Sequence, residues 1–210
     1  MKAAVLGSPI AHSLSPDLHR AAYLALGLTG WTYRAIECDE AALPGLLASC
    51  GPDWAGLSLT MPLKRAVLPL LDHIEPLAAE VGAANTVVFA AGRRHGHNTD
   101  VPGLLAALAE RGIPGTSLPP HPAVLILGAG ATACSALAAL RALDITQVTV
   151  AARAPARAGD LLATADRLGT KITLTPFDTP RVRPDLLIST VPAGAADPYA
   201  QRIAARTFLP

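Results

Sequence analysis

"AVLILGAGATAC", residues 123–134, is the stretch on which the reading of the fold turns. Five apolar residues read as a buried strand, two glycines close it, and the residues after Gly130 have the character of a helix start. A strand that enters a helix through G-x-G-x-x-A, here Gly128, Gly130 and Ala133, forms the loop on which a dinucleotide pyrophosphate rests. Gly128 permits the tight turn, Gly130 lets main chain approach phosphate, and the helix start offers N–H groups and a positive dipole end. The glycines alone are weak, since an ordinary βα turn can carry them. The strand before and the helix after are what give them meaning.

Reading downstream, "QVTVAAR" (147–153), a helical stretch 155–168, "KITLTPF" (171–177) and "DLLIST" (185–190) keep strands and helices in alternation. Nearly continuous apolar strands separated by helices predict parallel βαβ units. The end of the second strand discriminates between nicotinamide cofactors. An acid there would accept bonds from the ribose hydroxyls of NAD. Ala152 occupies that region, with Arg153 beside it and Arg157 four positions on. Two guanidiniums and no carboxylate suit a 2′-phosphate and favour NADP(H), although two solvated arginines in an arginine-rich chain are the plain alternative.

Upstream lies "GIPGTSLPPHP", residues 112–122, dense enough in Pro, Gly and Ser to read as a seam between domains. The half before it begins with a strand "KAAVLG" (2–7), a loop "SPIAHSLSP" and a helix from Pro16 to Gly27. It continues with strands in "WTYRAIECD" and "WAGLSLT", a helical stretch 40–50 between them, a hairpin in 84–100 around an Ala-Gly-Arg turn, and a helix in 101–111. The expected architecture is therefore α/β, with two α/β domains: residues 1–111 and residues 123–210.

Composition excludes several classes. Of 210 residues, 51% are hydrophobic and 16% charged, which is ample for a packed core and rules out a disordered chain. A net charge of +1 gives no electrostatic reason to expect a nucleic-acid or membrane partner. No apolar run has bilayer length, and no signal-peptide pattern opens the chain. Cys38, Cys50 and Cys134 are odd in number and widely spaced, so buried thiols in a reducing cytoplasm are expected in place of disulfides or a zinc site.

The first half also offers polar residues at strand ends. Ser13 and Ser15 follow the first strand, although capping of the next helix would account for Ser15. Thr60 ends the third strand, and Pro62 starts a helix with Lys64 in its first turn. The chain has three lysines among 17 basic residues, which makes Lys64 conspicuous. A lysine near a helix N-terminus and partly buried can lose its proton, as an arginine cannot. The sequence allows that reason without requiring it. Asn85 opens the hairpin and Asp100 follows it in "NTD". His95 and His97 share strand spacing but have no third ligand in view.

Taken in order, "GSPIAHSLSP", "LTMPLK", "GAANT", "GHNTD" and "GAGATA" resemble the shikimate dehydrogenase family over residues 3–198. The resemblance implies an N-terminal substrate domain and an NADP-binding Rossmann domain, incomplete at the C-terminus. It implies reversible, NADPH-dependent reduction of 3-dehydroshikimate to shikimate by a cytoplasmic monomer or homodimer that needs no metal. It gives Ser13 and Ser15 the substrate carboxylate, and Thr60, Asn85 and Asp100 the ring hydroxyls. Lys64 takes the place of the catalytic lysine, working with Asp100. Gly128, Ala129, Gly130 and Ala131 match the pyrophosphate loop, Arg153 and Arg157 the basic pair, and Thr190 and Val191 a loop beside the nicotinamide. Two departures stand out: the family's Asn and Thr in the cofactor motif are Ala152 and Ala154, and the chain stops at Pro210, short of the family's usual length. A quinate/shikimate enzyme using NAD and a truncated, non-catalytic NADP-binding protein are the competing readings.

Overall fold

The computed structural model describes residues 1–113, 118–177 and 183–201. The chain forms two compact units, Met1–Thr99 and Asp100–Pro210. Both are α/β, as the strand and helix patterns predict. No helix among the described residues is long and apolar enough to cross a membrane.

In the first unit, β1 (Lys2–Gly7), β2 (Thr32–Glu37) and β3 (Trp54–Leu59) are parallel, with β1 in the middle. Two helices, α1 (Ser15–Ala25) and α2 (Leu43–Ser49), make the crossovers. After β3 come a single helical turn, α3 (Leu63–Ala66), a 3-10 turn at Leu68–Leu70, the two-residue strand β4 (His73–Ile74) and α4 (Pro76–Val81). The hairpin of β5 (Thr86–Ala90) and β6 (Arg93–His97) then completes a mixed sheet of order β2-β1-β3-β5-β6-β4. Ala91 and Gly92 sit at φ 51° and 72°, the left-handed pair that matches the twist of a tight hairpin.

Alternation explains which residues go inside. Leu57 and Leu59 of β3 share a face and pack with Leu6, Leu43, Leu47, Leu63, Val67 and Val87 in one buried cluster. The short β4 and α4 escape a reading based on periodicity, because two residues carry no period and six carry little. A surface link holds β4's approach to the hairpin. Asp72 accepts bonds from the main-chain N–H and the guanidinium of Arg94, which hold its carboxyl down at about 2.

The second unit opens with α5 (Asp100–Glu110), which packs on α6 (Ala131–Ala142). The break in packing therefore falls ahead of the proline-rich stretch 112–122, of which 114–117 lie outside the described residues. Strands β7 (Val124–Leu127), β8 (Gln147–Ala152), β9 (Lys171–Pro176) and β10 (Leu186–Ser189) form a sheet of order β10-β7-β8-β9, parallel throughout. All four residues of β7 are buried, and so is α6 from Ala133 to Leu140. The helix expected over 155–168 is divided: Pro155–Arg157 is a 3-10 turn, and α7 runs Gly159–Leu168. Gly159, a weak helix former, stands at the junction.

Candidate active site

Topology gathers the polar residues of the first unit at one edge of its sheet. β1 and β3 run parallel, so their C-terminal ends, Gly7 and Leu59, lie side by side. β5 runs against β3 and therefore starts at that edge, with Thr86 opposite Ser58. β6 runs against β5 and ends there, with His97 opposite Thr86. Main-chain bonds extend the ladder beyond the strands: Thr60 N–H to Leu6 carbonyl at 2.9 Å, Leu59 N–H to Asn85 carbonyl at 2.7 Å, and Asn85 N–H to His97 carbonyl at 3.0 Å. Ligands of α/β sheets collect at this carboxyl edge.

Thr60 and Lys64 lie at the two ends of one short connection, and both are half-buried. Leu63 N–H bonds to the Thr60 carbonyl at 2.8 Å, and the Lys64 carbonyl accepts the N–H of Ala84 at 2.8 Å, one residue before Asn85. The lysine is thus tied by its main chain to the segment that carries Asn85. The helix expected around it has four residues, too few aligned peptides for a substantial dipole, so the dipole argument for a lysine at 64 does not hold.

Asn85 is held by Thr99. Its Nδ2–H donates to Thr99 Oγ1 at 2.9 Å, and its Oδ1 accepts the Thr99 main-chain N–H at 2.9 Å. The Thr99 hydroxyl stands 3.1 Å from the same Oδ1. Asp100 follows directly as the half-buried first residue of α5.

The serine loop has its own supports. Ser13 Oγ accepts the N–H of Ser15 at 3.3 Å and keeps its own O–H to donate. Ser15 is the first residue of α1, not its cap: the N-cap position is Leu14, with no side-chain capping bond, and Ser13 meets one of the orphan N–H groups, that of Ser15. Glu37, at the end of β2, accepts the main-chain N–H of Ile10 at 3.0 Å and holds the loop from the other side. Tyr33 donates to Ser58 Oγ at 2.8 Å, and its ring stacks on His19.

In the second unit, Gly128 takes φ +103°, and a Cβ there would meet Thr190 Oγ1 at 2.6 Å and Val191 Cγ1 at 3.1 Å. Only glycine fits. Its N–H donates to Ala151 carbonyl at 2.9 Å, which carries the β7–β8 ladder one residue beyond β7. Gly130 is the N-cap of α6 and has open space where a side chain would begin. The first intrahelical bond runs from Cys134 N–H to Gly130 carbonyl, so the opening turn with Ala131 lies beyond a bare glycine surface. A pyrophosphate fits such a place: the dipole end is positive and no Cβ intervenes. Ala129 lies in the same turn. Thr190 is used internally, its N–H and its O–H both donating to Leu127 carbonyl at 2.8 Å. Ala152 is buried at the end of β8 and Arg153 is exposed next to it. Arg157 closes the 3-10 turn, and its side chain lies outside the described residues.

Sequence reading attached no role to Glu37, Tyr33 or Thr99. For Thr99 a signal was at hand, since it stands between Asn98 and Asp100 in the "NTD" motif. Tyr33 and Glu37 gave none, because they act across 25 and 27 residues of chain. None of the three cysteines is in a disulfide; burial pushes the Cys38 thiol up, with Asp39 and Glu37 adding to it.

Comparison with known proteins identifies relatives of this chain. Residues 5–87 match the family described as the shikimate dehydrogenase substrate binding domain. The NADP(+) shikimate dehydrogenase of Thermus thermophilus is 41% identical over 208 residues, spanning 99% of this chain and 74% of that protein. The crystal structure of Mycobacterium tuberculosis shikimate dehydrogenase superposes with a TM-score of 0.81 at 42% identity, covering 97% of this chain and 76% of that one. The Thermus thermophilus enzyme in complex with NADP(H) and shikimate gives 0.78 at 39% identity, covering 95% and 71%. With two fifths of its residues shared across nearly its whole length, the chain belongs to the shikimate dehydrogenase family.

Proposed function

We propose that this protein catalyses the reversible, NADP-dependent interconversion of shikimate and 3-dehydroshikimate in the cytoplasm, as a monomer or homodimer. One observation carries the reading: Thr60, Lys64 and Asn85 stand on segments bonded to one another at the carboxyl edge of a single sheet, in a chain 41% identical to an NADP(+) shikimate dehydrogenase. The substrate is a small, polyhydroxylated ring with one carboxylate. Ser13 and Ser15 supply hydroxyl donors for that carboxylate. Thr60 and Asn85 bond ring hydroxyls, and Asn85 does so with its amide orientation already set by Thr99.

When bound, NADP would supply the hydride chemistry at the carbinol carbon in both directions. The glycine loop from Gly128 to Ala131 would hold its pyrophosphate, Arg153 and Arg157 would take its 2′-phosphate, and Val191 with Thr190 backs the loop. Lys64 takes the proton that leaves the substrate hydroxyl as the carbonyl forms, and returns it in reduction. Asp100 is its partner at that oxygen. Lysine suits this task because an amine can exchange a proton with a substrate oxygen, whereas a guanidinium keeps its own.

The test is NADPH formation followed by absorbance, with shikimate or quinate paired with NADP+ or NAD+. Turnover is expected with shikimate and NADP+, with kcat/KM for NADP+ at least about ten-fold above NAD+, as loss of one or two charge-assisted phosphate bonds dictates. Comparable rates with quinate and NAD+ would assign the chain to the quinate/shikimate type. A folded protein with no turnover would support the non-catalytic reading.

A further inference from the structure

Tyr33 is the one buried residue of β2, 5% exposed on a strand that forms the edge of the sheet. A buried tyrosine has to place its hydroxyl as well as its ring. The hydroxyl donates to Ser58 Oγ at 2.8 Å, two residues before Thr60. The ring stacks face to face on the His19 imidazole, with centroids 3.8 Å apart and planes 11° off parallel. His19 Nδ1 in turn lies 2.9 Å from the Ser15 carbonyl, and since a carbonyl only accepts, that nitrogen carries the hydrogen. The ring also packs in a cluster with Val5 of β1 and Ile10 of the serine loop.

One side chain therefore reaches three of the segments that carry proposed ligands: the loop before Ser13, the first turns of α1 behind Ser15, and β3 ahead of Thr60. Burial raises the phenol above its ordinary pKa, while its hydrogen bonding with Ser58 and Ser15 acts the other way. The group is a neutral donor throughout the working range. Packing alone would be met by phenylalanine, so the polar link from Tyr33 to Ser58 is what calls for explanation.

We propose that Tyr33 is a positioning residue for the carboxylate subsite, fixing the Ser13–Ser15 loop against β3 through its hydroxyl bond to Ser58 and its stack on His19. The inference rests on the assignment of the two serines to the substrate carboxylate.

Tyr33→Phe keeps the ring, the stack and the apolar contacts, and removes one oxygen. KM for shikimate should rise about five- to twenty-fold, kcat should stay within about two-fold, and KM for NADP+ should not move. Ser58→Ala, which removes the acceptor, should reproduce the pattern and serves if Tyr33→Phe does not fold. For shikimate carboxamide, which lacks the anionic carboxylate, the variants should differ from the parent by less than about two-fold. Adding Ser15→Ala to Tyr33→Phe should cost less than the product of the single effects, because both act on one contact. An unchanged KM for shikimate with a lowered thermal midpoint would show a purely structural tyrosine and overturn the proposal, as would equal losses for acid and amide. If the parent chain itself fails to oxidise shikimate, the functional assignment falls and this proposal with it; parent turnover with an unaltered Tyr33→Phe overturns the proposal alone.

Discussion

A glycine stands where the first strand of each unit gives way to a loop, Gly7 closing β1 and Gly128 following β7, and the two differ in what they make room for. A Cβ on Gly7 would collide with the Thr60 methyl and lie 2.9 Å from the Met61 carbonyl, on ordinary strand backbone. A Cβ on Gly128 would meet Thr190 Oγ1, and there the backbone itself is left-handed at φ +103°. Gly7 admits a threonine that is a candidate ligand. Gly128 admits a threonine whose hydroxyl is already engaged with Leu127, so that what faces outward is main chain. On the proposed assignment, the first unit offers a substrate side chains brought together across the sheet, and the second offers a cofactor the bare backbone of one turn.

The sharpest way to test that division is to delete the side chain with the most chemistry. Lys64→Ala should lower kcat by about 10²- to 10⁴-fold, the usual range for a positioned acid–base group, while KM for shikimate changes by less than about five-fold. Lys64→Arg should not restore the rate, because guanidinium keeps its proton. A variant whose loss lies mainly in KM would make Lys64 a binding group, and the first unit would then contribute recognition without proton transfer.

Next in size is a reciprocal pair of glycine substitutions. Gly128→Ala forces a side chain into a left-handed turn, a strain of about 1–3 kcal/mol before the clash with Thr190 is added. It should raise KM for NADP+ at least about ten-fold and lower the thermal midpoint, with KM for shikimate unchanged. Gly7→Ala meets a methyl that can rotate away and a carbonyl that cannot. It should raise KM for shikimate by a smaller factor and spare NADP+. If each variant harms both substrates alike, the two glycines are general packing positions and the comparison fails.

The same contrast governs how much could be read without coordinates. The glycine turn was legible because all its determinants are local: a buried strand, two glycines and a helix start within twelve residues. The hairpin was legible from its turn, and the four parallel strands of the second unit from their apolar runs. The substrate side was legible only as an ordered set of motifs, since nothing local to Thr60, Asn85 or Ser13 says they meet. Their meeting follows from strand directions, which put the start of β5 and the ends of β1, β3 and β6 on one edge. The dipole argument for Lys64 failed for a related reason. Helix length is set by packing around Leu63 and Val67, both fully buried, and the helix stops after one turn.

The smallest expected effect bears on how finely the side-chain half is tuned. Asn85 cannot serve a ring hydroxyl unless its amide faces the right way, and in this fold the choice is made by Thr99. The Thr99 main-chain N–H requires an oxygen at Oδ1, and the hydroxyl accepts from Nδ2, so both ends of the amide are specified. Thr99→Val retains shape and main chain and removes only the hydroxyl. Because Thr99 is exposed, no buried group is left unsatisfied and stability should hardly change. KM for shikimate should rise about three- to ten-fold, with kcat within about two-fold and NADP+ unaffected, the range for one neutral hydrogen bond. An unchanged KM would mean that the main-chain N–H alone orients Asn85. The substrate side would then also depend, at this one point, on backbone, and the contrast with the glycine turn would narrow to Lys64 and the serines.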